Sequence, residues 1–426
     1  MFHRSSRRAL VSGVVLSTAV LSACATAAGS PSGGGQVAAA SAAPLSAGEL
    51  GTVAAPATAV MPGTASARPT ASRTAKGGRT SATASRGSAA AAGSGAGAAP
   101  PAAAISGATA YGFSAPELLL NPSTQGSDLK AMKAVGATSV RVEANWYGMQ
   151  PNGPSDDDWA PLDQVIAAIQ AAGLTADLVI DGCPPWAAVS SAQGNSFAQP
   201  ASPAQFATFA GSVAARYGSR GVSSFEIGNE PNISQFWAPK PDPAAYSADL
   251  VAAYAAIKAS DPSAVVLSGG LSPATDTSTS YDPRTFLADM YADGAKGSFD
   301  GVGDHPYTYP LSPDDSNAGS AWSQMSETSP SLRSIMTANG DSAKKIWITE
   351  YGAPTSGANS VGESAQSTDL VQAIAQVKQL AWIGSLYIYT WSDLSSLAAS
   401  DNGFGLLTED NAQKPAYAAV AGALPY

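Results

Sequence analysis

The chain is poor in cysteine and histidine, and both shortages narrow its chemistry. It has two cysteines, Cys24 and Cys183. The first falls in a leader-like segment, so no intramolecular disulfide is expected. It also has two histidines, and only His305 lies where the sequence is patterned like a folded domain. A zinc hydrolase with several histidine ligands is therefore excluded. A Ser-His-Asp triad would have to use His305, and no G-x-S-x-G turn accompanies it. Charge is sparse at 13% of residues, and positive charge is the scarcer sign, with 22 Lys+Arg against 32 Asp+Glu. Eight of those basic residues and a single acid, Glu49, fall in residues 1–100, so the rest carries 14 basic and 31 acidic residues, a net of −17. An acidic domain without a basic stripe argues against a nucleic-acid partner.

The first 24 residues read as an export signal. Arg4, Arg7 and Arg8 precede an apolar run from Ala9 to Leu21, followed by Leu21-Ser22-Ala23-Cys24. The run is too short to span a bilayer, and the pattern is that of a cleaved signal peptide. The last four residues resemble a bacterial lipobox, which implies lipidation of Cys24 and a lipoprotein at the cell surface. Ser6-Arg7-Arg8-Ala9-Leu10 resembles a twin-arginine signal as well, which leaves the export route open. Residues 25–106 are almost all Ala, Ser, Gly, Thr and Pro. Such a segment buries too little apolar surface to fold and is expected to be a disordered tether. As a flexible coil, roughly 80 residues span about 50 Å. The only expected membrane contact is the lipid anchor.

All eight Trp lie after this segment. Strand-like and helix-like patterns alternate from Tyr111 onward, which predicts a parallel sheet with crossover helices. The strands are read at 111–114, 139–144, 175–180, 223–228, 264–268, 301–304, 346–349 and 386–389. Helices are read at 162–172, 203–217, 243–260, 283–292 and 366–383, three of them opening on proline. Eight such units predict a (β/α)8 barrel over residues 107–426. The stretch from Tyr307 to Met325 is its longest insertion and is expected to shape the catalytic face.

Two glutamates stand where strands of such a barrel end. Glu230 closes Ser224-Phe225-Glu226-Ile227-Gly228-Asn229-Glu230, and Glu350 closes Lys345-Ile346-Trp347-Ile348-Thr349-Glu350. Barrel enzymes carry their catalytic groups at these strand ends. Two carboxylates meeting over a sugar ring are the minimum machinery for cleaving a glycosidic bond. Period-two geometry puts Glu226, Gly228 and Glu230 on one face with Asn229 opposed, unless the strand end twists. Glu226, deeper in the barrel, is expected to be structural and to pair with Arg141. Trp347 is read as core, Cys183 as a packed thiol, and Asp156-Asp157-Asp158 as a solvated loop.

With these motifs in hand, the chain resembles retaining glycosidases of the large barrel clan that includes the cellulase-like families, and most of all family 39-like enzymes. The resemblance covers nearly all of 111–426. It rests on the order Arg141, Asn229-Glu230, His305-Pro306-Tyr307, Glu350 and Trp391, supported by Phe404-Gly405-Leu406-Leu407 and Lys414-Pro415-Ala416-Tyr417. It implies Glu230 as acid/base and Glu350 as nucleophile, the latter held by Arg141 and Tyr307 with a low pKa. It further implies that Asn229 bonds the sugar 2-hydroxyl, that His305 supports the site, and that Trp391 lies beneath the sugar. Trp146 and Trp186, after the second and third strands, are expected to line neighbouring subsites. No cofactor and no metal are implied. The expected partner is an extracellular or wall polysaccharide or oligosaccharide. A glycan-binding lipoprotein without catalysis and a wall-tethered transglycosylase are the alternatives.

Overall fold

The computed structural model describes residues 107–317, 319–394 and 403–425. The export signal, Cys24 and the tether lie outside the described residues. Eight strands form a closed barrel in chain order: β1 (Ala110–Ser114), β2 (Ser139–Asn145), β3 (Thr175–Asp181), β4 (Val222–Asn229), β5 (Val265–Gly270), β6 (Gly301–Asp304), β7 (Lys345–Tyr351) and β8 (Ile383–Tyr389). Every neighbouring pair is parallel, and β8 closes on β1 with Tyr111 opposite Leu386. A parallel barrel is covered by helices outside and side chains inside, so its strands are buried on both faces. This is why they read as apolar runs such as Phe225-Glu226-Ile227 and Ile346-Trp347-Ile348.

The crossover helices start on proline in several places, namely Pro203–Tyr217, Pro243–Ser260, Pro283–Ala292 and Pro415–Ala423. Proline suits the first turn because its missing N–H would have no intrahelical acceptor there. The Asp242 side chain caps the second of these helices by accepting from the Ala245 N–H at 3.0 Å. The helix read at 366–383 runs from Glu363 to Val377, and Ile383 already belongs to β8. Among the helices that go beyond the sequence reading of the main crossovers are Gln125–Ala134, Ala321–Ser326, Leu332–Ala338 and Pro415–Ala423. The third of these, Leu332–Ala338, is held at its start by a reciprocal pair of bonds between Ser331 and Ser334. No described helix is long and apolar enough to cross a membrane.

Polar groups occupy the barrel interior below the C-terminal mouth. Ser224 donates to Asp177 at 2.6 Å, and the Tyr387 hydroxyl donates to Ser139 at 3.0 Å. Burial, then the nearby charge of Glu226, push the Asp177 carboxyl up to about 8. Above this layer the backbone makes room for a histidine ring. A Cβ on Gly270 would lie 2.1 Å from His305 Nε2, so only glycine fits at the end of β5 beside His305.

Candidate active site

Arg141 organises the mouth of the barrel. Its Nε donates to Glu226 Oε2 at 2.7 Å, its Nη1 to Glu350 Oε1 at 2.5 Å and to Ser114 Oγ at 3.1 Å, and its Nη2 to Asn229 Oδ1 at 2.8 Å. Four partners from β1, β4 and β7 thus converge on one planar fork, a geometry arginine supplies and lysine does not. Burial works against the guanidinium charge, but Glu226 and Glu350 more than offset it and hold the pKa above the ordinary arginine range. Because Arg141 occupies the amide oxygen of Asn229, the Asn229 NH2 is the end left for a ligand.

Glu350 lines the cleft cavity together with Ser114, Glu143, Asp181, Asn229 and Tyr389. Its second oxygen accepts from the Tyr307 hydroxyl at 2.8 Å. The sequence reading expected a low pKa, and the direction is the reverse. Burial raises the Glu350 carboxyl, and Arg141 and the Tyr307 hydroxyl only pull it part of the way back.

Glu230 sits just beyond β4 with φ of +42°, and its N–H donates to the Gly270 carbonyl at 3.0 Å. Gly228, two residues earlier, is also left-handed at +79°. These turns correct the period-two expectation: Glu226 and Asn229 both reach Arg141, so Asn229 is not opposed to the site. Glu230 is only 2% exposed, and the residues lining the cleft cavity do not include it. Its Oε1 lies 3.0 Å from His305 Nδ1, and its Oε2 has no hydrogen-bond partner among the described residues. Glu350 Oε2 is 3.7 Å from the same His305 nitrogen. Those two distances taken together cap the separation of Glu230 Oε1 and Glu350 Oε2 at 6.7 Å.

The direction of the bonds fixes the protons. The Thr349 hydroxyl has one hydrogen and donates it to Glu226 Oε1 at 3.0 Å. It must therefore accept from His305 Nε2, 3.1 Å away. Nε2 then carries a proton, and a neutral ring is left with Nδ1 as an acceptor facing Glu230. Burial lowers the His305 pKa, with the Glu230 bond opposing it, and burial raises the Glu230 pKa. Both shifts favour a neutral imidazole accepting from a protonated Glu230. An unbroken chain follows: Glu230, His305, Thr349, Glu226, Arg141, Glu350.

A second acidic pair borders the cleft. Glu143 accepts from Asn145 Nδ2 at 2.6 Å and neighbours Asp181 at the end of β3. Burial first, then the charge of Glu143 and a hydrogen bond with it, push the Asp181 carboxyl well above the ordinary range. Among the described residues, no group of three or more His, Cys, Asp or Glu is arranged to hold a metal ion.

The structure brings Arg141, Asn229, Glu230, His305, Tyr307 and Glu350 together, and it keeps the tryptophans apart from them. Trp391 is 1% exposed and packs edge-on against Phe113 at 4.9 Å and against Tyr417 at 5.6 Å. It is core, and Tyr389 at the end of β8 lines the cleft instead. Glu117 holds this arrangement, accepting from the Trp391 N–H at 3.1 Å and the Thr390 hydroxyl at 2.9 Å. Trp146 is fully buried and stacks on Phe209 at 5.6 Å. Trp186 packs edge-on against Trp146 and donates to the Gln150 carbonyl at 2.7 Å. Neither ring lines the cleft. The sequence reading did not single out Ser114, Glu143, Asp181, Phe236, Thr349 or Tyr389. Apart from Phe236, which lies in the loop after β4, their common signal was position at or near a strand end, which is too weak to select them.

The family model for cellulase (glycosyl hydrolase family 5) matches residues 102–388. No curated protein matches the chain. Among solved structures, a family 39 glycoside hydrolase from Bacteroides cellulosilyticus is 20% identical with a TM-score of 0.57, covering 70% of this chain and 60% of its own. A monomeric beta-xylosidase from Caulobacter crescentus is 20% identical with a TM-score of 0.56, covering 73% and 66%. A GH5_18 protein from Streptomyces cattleya, in complex with GlcNAc, is 20% identical with a TM-score of 0.53, covering 74% and 79%. The chain spans less than two thirds of the length of the first two structures. At these identities the likeness establishes the shared barrel.

Proposed function

The chain belongs to the cellulase family, glycosyl hydrolase family 5, and on that footing we propose that it is a retaining glycosidase acting on an extracellular or wall polysaccharide by double displacement. Glu350 is the nucleophile and Glu230 the acid/base. The observation that carries the reading is the unequal setting of the two carboxyls about His305. Glu350 has a cation at 2.5 Å and a hydroxyl at 2.8 Å. Glu230 faces an imidazole and no cation, and its Oε2 makes no hydrogen bond among the described residues. Burial raises both, so the one with the cation ionises first. The cap of 6.7 Å on the separation of Glu230 Oε1 and Glu350 Oε2 is compatible with the retaining value of about 5–5.5 Å between carboxyls.

The chemistry balances on these residues. A Glu350 oxygen bonds to the anomeric carbon as the glycosidic C–O bond breaks. The leaving oxygen takes the Glu230 proton, delivered once the carboxyl rotates and turns its O–H from His305 toward the substrate. Water then attacks the glycosyl ester, Glu230 takes a proton from that water, and Glu350 departs as carboxylate. In this reading the Asn229 NH2 bonds the sugar 2-hydroxyl.

Glu350→Gln is expected to abolish turnover. Glu230→Gln is expected to spare substrates with good leaving groups and lose those without. Proton NMR of the first-formed anomer on reduced xylan-type and β-glucan oligosaccharides gives the stereochemistry. An inverted first product, or both variants at full rate, would refute the assignment. Surface anchoring through Cys24 is part of the same proposal and is checked by the intact mass of the exported chain against that of Cys24→Ala.

A further inference from the structure

A second cavity, of about 20 Å³, branches from the cleft. It shares Asp181, Asn229 and Phe236 with the cleft wall, and its remaining lining includes Phe197, Trp237 and Asp249. That volume holds about one or two water-sized groups, enough for a substituent and too little for a sugar ring. Its polar atoms lack partners among the described residues: Asp181 Oδ1, both oxygens of Asp249, and Trp237 Nε1. These residues are 6%, 2% and 7% exposed. Orphaned buried polar atoms are uncommon in folded proteins and call for a partner. Here two carboxyls and an indole N–H do so in one place. The walls are aromatic, with Phe197 and Phe236 edge to face at 5.0 Å.

We propose that this branch is a specificity pocket for the 2-acetamido group of an N-acetylhexosamine bound in the cleft. An acetamido group carries one donor, one acceptor and a methyl, and the pocket offers a match for each. The Asp181 oxygen accepts from the amide N–H. Trp237 Nε1 donates to the amide carbonyl. The Phe197 and Phe236 rings enclose the methyl. Burial pushes the Asp249 carboxyl up to about 8, so at neutral pH it is a second O–H donor for the carbonyl and not a buried charge. A free ammonium would meet the Trp237 N–H donor head on and suits the pocket less well. The branch opens beside Asn229, the residue that the proposed mechanism sets against sugar position 2, so the inference rests on that reading.

The test compares N-acetylglucosamine and N-acetylgalactosamine with glucose, galactose and glucosamine, using the full chain. Saturation-transfer NMR is expected to show the acetyl methyl receiving more saturation than any ring proton, with the N-acetyl sugars binding at least tenfold more tightly than the neutral ones. With 4-nitrophenyl glycosides, the ratio of kcat/KM for N-acetyl over neutral sugar should fall about fivefold to tenfold in Trp237→Phe, which keeps a ring and removes the donor. It should fall on the order of tenfold or more in Ala198→Met, which fills the branch from another wall. Equal affinity for neutral and N-acetyl sugars, with ratios unmoved in both variants, would mean that the branch holds ordered water only and overturns the proposal. Tighter binding of glucosamine overturns it too. Neutral glycosides cleaved by wild type and not by Glu350→Gln, without N-acetyl preference, sink this inference alone. No sugar bound or cleaved by any form sinks it together with the glycosidase reading.

Discussion

Thr349→Val tests the proton arrangement directly, because it removes one hydroxyl and keeps the shape of the side chain. In the native site that hydroxyl donates to Glu226 at 3.0 Å and accepts from His305 Nε2 at 3.1 Å. Glu226 still keeps Arg141 and the Gly270 N–H, each at 2.7 Å. The stability cost is therefore about 2–4 kcal/mol, one bond to a charged group plus one stranded donor. The larger consequence lies at Glu230. A buried Nε2–H without an acceptor favours the other tautomer, in which Nδ1 carries the hydrogen and donates to Glu230. A donor facing a carboxyl favours its ionised form and lowers its pKa. Glu230 then loses the proton it must give to the leaving group. Because activity requires Glu230 protonated, the alkaline limb of kcat/KM should move to lower pH. Cleavage of poor leaving groups should fall by about 10²–10⁴, the usual worth of a general acid. Activated aryl glycosides should fall far less, and Thr349→Ser should restore both the limb and the rate. The assay is the pH profile of kcat/KM on one activated and one unactivated substrate for the three proteins. An unmoved alkaline limb in Thr349→Val, or an equal loss on both substrates, would refute Thr349 as a positioning residue.

Two further outcomes follow from the same geometry. Trp391→Ala should cost about 3–5 kcal/mol of stability, as for a large buried aromatic, with KM unchanged below its lowered Tm. Tyr389→Ala should raise KM, and the reverse pattern in denaturation and Michaelis curves would return Trp391 to the cleft. Stability should also fall as pH rises from about 5 to 8. The Glu117 carboxyl, buried among its bonds to Thr390 and Trp391, is pushed up to about 7. A raised acid contributes stability below its unfolded value and loses it as pH passes through the folded one, here roughly 3 kcal/mol. Asp249, up to about 8, acts in the same sense, whereas Asp163, held at about 2 by Arg216 and Arg220 against burial, titrates outside this window. Calorimetry of wild type and Glu117→Gln over that range checks it, and a flat wild-type profile would count against it.

The barrel was legible because parallel strands buried on two faces leave short apolar runs, and proline marks where several crossover helices begin. Boundaries failed where no breaker stood. Between Val377 and Ile383 the apolar spacing continues through Leu380 without glycine or proline, so the helix was read across the turn into β8. The helix at Gln125–Ala134 was missed because its only buried apolar residues are Leu129 and Met132. Arg141, Asn229, Glu230, His305, Tyr307 and Glu350 were legible through the order of their motifs along the chain.

Side-chain direction at the strand ends was not legible, and the reason is the same at three of them. Strict alternation sets Asn229 against Glu230 and Thr349 against Glu350. At β4 the left-handed Gly228 and Glu230 break that alternation, so Glu226 and Asn229 share Arg141. At β7 the pairing with β8 shifts between Ile348 and Tyr351. An irregularity of this kind re-aims side chains, and Thr349 and Glu350 both reach the interior network. At β8 the chain is redirected after Tyr389, where Glu117 captures Thr390 and Trp391, so the tryptophan turns onto Phe113 and Tyr417. An aromatic two residues past a strand end therefore cannot be assigned to cleft or core by counting. What decides it is a carboxylate 274 positions earlier in the chain, a contact that no local pattern encodes.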